Sequence, residues 1–400
     1  MSRLEELIAA LCPDGVEYKT LASICSRQKG MAITAGKMKE LDTPDGAVRI
    51  FAGGNTTANV NYNDIPDKNI IITPSVIVKS RGNIGFEYYD KPFTHKNELW
   101  SYSSKNKTIN IKFIYYFLDN HISEFQSKAK TGKLPQISTP DTDYYKIPIP
   151  PLPVQEEIVR ILDKFTELTA ELTAELTAKL GKIKQQYQYY CDKLLYQDKN
   201  NNNFPLIKIG DLAKFSYGYT AKAKDTGFVR FIRITDISEN GFLNPHNAKF
   251  VDLTKENKRY LLKEGDILMA RTGATYGKTA YISSDEPAIY ASFLIKISLD
   301  PDRIINRFYW HFTRSTAYWL QANSLVSKGG QPQFNSNVLC KVLLPLPPLE
   351  EQKRIVAVLD RYDALCNDLT GSLTAEIETR KKQYEYYRDK LLTFKEKEAD

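Results

Sequence analysis

Ile147-Pro-Ile-Pro-Pro-Leu-Pro-Val-Gln-Glu-Glu-Ile-Val-Arg-Ile-Leu-Asp163 returns later in the same chain as Leu344-Pro-Leu-Pro-Pro-Leu-Glu-Glu-Gln-Lys-Arg-Ile-Val-Ala-Val-Leu-Asp360. The match runs on without a gap until Gln186-Tyr-Gln-Tyr-Tyr-Cys-Asp-Lys-Leu-Leu195 faces Gln383-Tyr-Glu-Tyr-Tyr-Arg-Asp-Lys-Leu-Leu392, with nearly half the positions identical. A long ungapped match inside one chain is the mark of a repeated structural unit. The likeness weakens upstream but keeps its order. Lys130 to Gln136 lies over Ser327 to Gln333, Val76 to Gly82 over Ile267 to Gly273, and Leu21 to Ile24 over Ile209 to Leu212. The chain therefore divides into a variable block (1–146), a constant block (147–199), a second variable block (200–343) and a second constant block (344–400). The Asn200–Asn203 run serves as a polar linker.

Each constant block opens on prolines beside an acidic stretch (Glu156, Glu157; Glu350, Glu351), a helix-start signal. Apolar residues then recur every three or four positions, the spacing of a coiled-coil seam. In the first block the stripe and its flank hold Ile158, Leu162, Phe165, Leu168, Leu172, Leu176, Tyr187 and Tyr190. In the second they hold Ile355, Leu359, Tyr362, Leu369, Leu373, Tyr384 and Tyr387. These residues are expected to form a helix–helix or partner interface. Steps of four from 168 to 180 and from 365 to 377 should act as a stutter. About 40 residues at 1.5 Å rise predict helices roughly 60 Å long. Two such stripes in one chain predict antiparallel pairing, with a globular block at either end. Thr169-Ala-Glu-Leu172 and Thr173-Ala-Glu-Leu176 repeat as tetrads, either as an ordinary leucine stripe or as a ruler of helix length.

The variable blocks mix short β-rich runs (Asn69–Thr73, Phe228–Ile234, Ile289–Ile297) with one late helix each, near 110–128 and 304–324. That is an α+β pattern. At 400 residues, 42% hydrophobic and 26% charged, the chain has the balance of a globular protein and not a disordered one. No apolar run is long enough to span a bilayer, and the acidic start is unlike a signal peptide. Five scattered cysteines without a C-x-x-C pair argue against a disulfide framework and point to a reducing cytoplasm. The net charge is +7. Both constant blocks carry slightly more acid than base, so the positive surplus belongs to the variable blocks.

Catalytic constellations are missing. Thr272-Gly-Ala-Thr-Tyr-Gly-Lys-Thr279 is one residue short of a phosphate-binding loop, having Thr where the first Gly is needed. Pro13-Asp-Gly-Val-Glu-Tyr-Lys19 has the letters of a nuclease site, but its carboxylates are too close in sequence to come from separate strands. The four histidines are not spaced as metal pairs, and no nucleophile elbow or base-amination motif occurs. The expectation is a chain with no catalytic residues, metal or cofactor of its own. What remains is basic loops carrying planar polar residues. Lys79, Arg81 and Asn83 follow one predicted strand, while Arg271, Thr272, Thr275 and Tyr276 follow its equivalent. Lys130, Lys133 and Gln136, with Lys328, Gln331 and Gln333, occupy the Gly-bearing loop after each block's helix. Lys and Arg suit phosphates, and Arg, Asn and Gln suit base edges. A solvated loop that needs glycine for its turn is the competing reading.

Two variable domains alternating with two near-identical helical segments, each opening P-x-P-P-L-x-x-Q-x-x-I-V, resemble the DNA-specificity subunit of a type I restriction–modification system. The Thr-Ala-Glu-Leu tetrads and the closing Tyr-x-Tyr-Tyr-x-Asp-Lys-Leu-Leu add to the likeness, which spans nearly the whole chain. The resemblance implies two target recognition domains reading the halves of a split, asymmetric site in double-stranded DNA. It implies helices that serve as spacer and as platform for two methyltransferase subunits, joined by restriction translocase–nuclease subunits. S-adenosylmethionine, ATP and Mg would then belong to those partners. The alternatives are a coiled-coil scaffold without DNA specificity, a specificity subunit of a related methyltransferase system, and an enzyme of unseen type.

Overall fold

The computed structural model describes residues 3–130, 134–195, 204–238, 240–327 and 332–398. It resolves into two compact units, one comprising 1–173 with 375–400 and the other 174–374. Lys133, Lys328, Gln331 and the Asn200–Asn203 linker lie outside the described residues.

In the first unit an antiparallel four-stranded sheet has the order Cys25–Lys29, Trp100–Ser104, Ser75–Lys79, Gly85–Tyr89. A three-stranded sheet has the order Thr57–Val60, Val48–Phe51, Phe93–His95, with the last pair parallel. The second unit repeats both arrangements. Its four strands are Ala213–Tyr217, Leu294–Leu299, Ile267–Ala270 and Thr279–Tyr281, and its three are Phe250–Val251, Val229–Ile232 and Ala288–Tyr290. An α+β fold built twice is what the internal repeat predicts.

The β-rich runs are placed less well than the repeat. Asn69–Thr73 is not a strand: a 3₁₀ turn covers Asp67–Asn69, and Ile71 makes one isolated bridge to Phe93. Pro66 and Pro74 bracket the run and leave no room for a ladder. Phe228–Ile234 yields a strand only over Val229–Ile232. Ile289–Ile297 is broken by a turn in which the Leu294 amide donates to the Ala291 carbonyl, so its two halves enter different sheets. The late helices are also each broken in two, Ile111–Asn120 with Ile122–Lys128 and Asn306–Phe312 with Thr316–Leu325.

The proline-rich openings are strands, not mere punctuation. Lys146–Ile149 pairs antiparallel with Glu17–Thr20, and Leu343–Pro345 with Leu206–Lys208. Proline is tolerated because a two-stranded ribbon has free edges where no N–H is needed. Each ribbon ties the start of a variable block to the start of the helix that follows it. Those helices run Leu152–Leu195 and Leu349–Leu392, 44 residues each. Within either unit the two helices are antiparallel. Residues 158–165 lie against 384–392 in the first unit, and 187–195 against 355–362 in the second.

His95 ends the first unit's small sheet, fully buried, and burial pushes its imidazole down to about 4 from 6.5. The unfolded chain therefore takes up a proton near pH 6.5 that the folded chain refuses until about 4. Stability from this group is complete above pH 6.5 and falls on acidification, by about 3 kcal/mol at pH 4. Chemical unfolding followed between pH 7 and 4 should show that loss, and His95→Asn should flatten it.

Candidate nucleic-acid interface

The glutamine of P-x-P-P-L-x-x-Q has the same task in both units. Gln155 is fully buried; its Nε2 donates to the Pro150 and Thr108 carbonyls, and its Oε1 accepts from the Asn110 amide. Gln352 does the same with the Pro347 and Arg303 carbonyls and the Ile305 amide. Each glutamine thus joins a spacer helix to the N-terminus of its block's late helix. Gln352→Ala would orphan three backbone groups, and a loss of about 2–3 kcal/mol is expected in a urea melt.

Two turns further on, an aspartate receives two donors spaced i and i+4 on that late helix. Asp163 accepts from Lys112 Nζ (2.8 Å) and Tyr116 Oη (2.5 Å). Asp360 accepts from Arg307 Nε (2.7 Å) and His311 Nε2 (2.8 Å). Burial lowers the His311 pKa, and the neutral ring that donates to Asp360 accepts the Tyr187 hydroxyl at Nδ1, 2.9 Å away. Burial works against the Asp360 charge, yet the bonds from His311 and Arg307 hold its carboxyl below the usual range.

These contacts redefine the predicted helix interface. Ile158, Leu162, Ile355 and Leu359 are buried, but they join the cores of the globular blocks as well as the opposing helix. Phe165 stacks on Tyr387 at 5.6 Å, and Tyr190 on Tyr362 at 5.0 Å. Tyr187 is buried and Tyr384 partly so. Leu172, Leu176, Leu369 and Leu373 are half-buried, whereas Leu168 is 50% exposed, as is its counterpart Leu365. Steps of four residues turn 400°, so a stripe so spaced drifts around the helix by about 40° per step.

The two candidate loops of each unit, far apart in sequence, come together. Arg81 bridges Gln136, and the Gly82 amide donates to the Pro135 carbonyl at 2.9 Å. Thr272 bridges Gln333, and the Gly273 amide donates to the Pro332 carbonyl at 3.2 Å. Both glycines have positive φ, 78° and 72°, which other residues rarely adopt.

The side chains sort differently in the two units. Arg81, Asn83, Lys130 and Gln136 are exposed. Lys79 is held by Glu87 at 2.7 Å and is only 17% exposed. In the second unit Thr272 is buried, and Thr275 turns back toward the Thr272 carbonyl. Tyr276 donates to Asn323 Oδ1 with its ring against Trp319 and Phe334, while Gln333 is half-buried. Arg271 donates from Nε to the Ser292 carbonyl at 3.1 Å and lies over the rings of Tyr217 and Phe293. The glutamine clamps and the paired donors escaped sequence reading, although laying Lys112 and Tyr116 over Arg307 and His311 would have exposed them.

A doubled α+β unit on paired helices, with basic Gly-bearing loops, is the architecture of a specificity subunit. The family model for the type I restriction modification DNA specificity domain matches residues 13–182 and again 201–379, so the chain belongs to that family. A Haemophilus influenzae protein named as a type I restriction enzyme specificity subunit is 33% identical over 80% of this chain and 82% of its own length. A type I restriction enzyme specificity subunit of Escherichia coli is 32% identical over 74% of this chain and 73% of its own. A solved structure from a study of type I R-M complex assembly shares the fold at TM-score 0.65 and 17% identity, covering 96% of this chain and 98% of that one. Among the described residues no helix is long and apolar enough to cross a membrane.

Proposed function

We propose that this chain is the sequence-reading, non-catalytic component of a type I restriction–modification assembly. The variable blocks, residues 1–146 and 204–343, each read one half of a split, asymmetric site in double-stranded DNA. The helices set the separation of the halves and carry two modification subunits, which methylate adenine using S-adenosylmethionine. A translocase–nuclease using ATP and Mg joins when the assembly cuts. The supporting observation is the doubling itself: one backbone is built twice, and its paired loops carry different exposed residues in the two copies.

Exchanging residues 204–343 for the matching block of another family member tests this reading. Methylome mapping of the reconstituted complex should find one half of the modified motif replaced and the other half retained. Replacement of both halves at once, or no sequence-specific methylation from the unaltered chain, would refute it.

A further inference from the structure

The shared register allows residue-by-residue matching of the units. Lys29 pairs with Trp100 where Tyr217 pairs with Ile295, and Val78 pairs with Trp100 where Met269 pairs with Ile295. Lys29, Met31, Ser80 and Glu98 of the first unit therefore stand where Tyr217, Tyr219, Arg271 and Phe293 stand in the second. Buried neighbours keep their character, Leu99 matching Leu294. Along one exposed edge the chemistry changes class. The first unit has the Lys96–Glu98 ion pair, 3.0 Å, and a buried Ser80. The second has two half-exposed rings, Tyr217 at 42% and Phe293 at 52%, with the Arg271 guanidinium over both.

Phe293 also borders a hollow of about 370 Å³, lined among others by Ala221, Ala223, Phe231, Ala291, Tyr219 and Arg233. The fold gains nothing from leaving aromatic area in water at roughly 25 cal/mol per Å². A phosphate is a poor fit, because the hollow is mostly apolar and Arg233 is already bound twice by Asp236. A flat heteroaromatic ring fits better: its face can stack on exposed rings, a methyl can sit against the lining alanines, and hydroxyl or guanidinium groups can meet its edge.

We propose that this hollow, with the Tyr217–Arg271–Phe293 cluster beside it, is the base-reading site of the second unit, contacting one or two nucleobases of its half-site. The proposal rests on the DNA-specificity reading above and assigns that reading to residues. The test compares the full-length chain with Phe293→Ala, which removes the exposed ring, and Ala221→Leu, which fills the hollow. Each is reconstituted with the modification subunits and offered a duplex library of random sequence. Both variants should lose at least tenfold in methylation of the wild-type site, or lose discrimination at one or two adjacent positions. The change should fall in one half of the motif, with the other half and the spacing kept. Wild-type specificity with both variants unchanged would overturn the base-reading site and leave the specificity-subunit reading standing. Equal losses at all sites with a lowered melting temperature in both variants would also overturn it, as a purely structural role. A wild-type complex that methylates without sequence preference would remove both readings together.

Discussion

Asp363→Ala is expected to cost the second unit about 3–5 kcal/mol, because it strands charge in the interior. The carboxylate is 3% exposed and accepts from Arg314 Nη1 at 2.7 Å and from Arg307 Nη2 at 3.3 Å. Arg314 is itself pressed over Tyr187 and Trp310, each at 4.4 Å, with only 18% of its side chain exposed. Equilibrium unfolding in urea, followed by tryptophan emission, measures the loss. Asp363→Asn should recover part of it by keeping an acceptor. Arg314→Met with Asp363→Leu should recover most, since exchanging a buried pair for packed apolar groups is often neutral. A single substitution costing under about 1 kcal/mol would show that Arg314 finds solvent or another partner.

The first unit solves the same docking problem with the opposite polarity. Matching the late helices puts Asp119 where Arg314 stands, and Asp119 accepts from Arg388 at 3.0 Å. At this one position the first unit sets an acid of its late helix against a base of the spacer, and the second sets Arg314, in the turn after its late helix, against the acid Asp363. Lys112–Asp163 and Arg307–Asp360, by contrast, keep a single polarity in both units. A first variable block seated on the second block's helix ends would bring Asp119 toward Asp363. The reverse error would bring Arg314 toward Arg388. Like charges in partly buried places cost several kcal/mol, so the polarity helps each block select its own seat. It also limits which blocks can be exchanged. A donor block with an acidic residue at position 314 would fail at the helix, before any question of DNA recognition arises.

The doubling, the helices and their antiparallel sense were legible because they depend on periodicity, which survives in sequence. The loops were only half legible. Gly82 and Gly273 sit at turns that the pattern indicated, and their loops do meet. Side-chain availability depends on cross-strand neighbours that the pattern does not reveal. Lys79 is held because Glu87 lies on the adjacent strand of its hairpin, and Thr272 is buried where its backbone pairs with Gln333 and the Gly273 amide reaches the Pro332 carbonyl. The Gln155 and Gln352 clamps were in plain view as repeated letters, but a glutamine in a helix start reads as surface until its backbone partners are known. The aromatic edge around Phe293 was invisible for a related reason: Ile289–Ile297 reads as one strand, and the turn that exposes Phe293 divides it.

That turn is where glycine matters most. The match of Leu21–Ile24 with Ile209–Leu212, carried forward without a gap, puts Gly30 over Gly218. A Cβ on Gly218 would stand 2.3 Å from the Ala291 carbonyl oxygen and 2.4 Å from that of Tyr290; on Gly30 it would stand 2.3 Å from the Lys96 oxygen and 2.6 Å from that of His95. Real Cβ atoms do not approach backbone so closely, and neither site has a flexible neighbour to give way. Gly218→Ala must push apart segments joined by the Tyr219 amide to the Tyr290 carbonyl (2.8 Å) and the Ser292 amide to the Tyr219 carbonyl (3.0 Å). Overpacking of about 1–3 kcal/mol, with one or two weakened hydrogen bonds at about 1 kcal/mol each, gives an expected loss of about 2–5 kcal/mol. Gly30→Ala should cost the first unit a similar amount. Urea unfolding measures both, and Gly36→Ala, whose new Cβ meets only Thr34 Oγ1 at 4.0 Å, is the control. Gly218 also carries Tyr217 and Tyr219 on either side of it. Displacing its backbone should therefore spoil the aromatic edge even under conditions where the unit still folds.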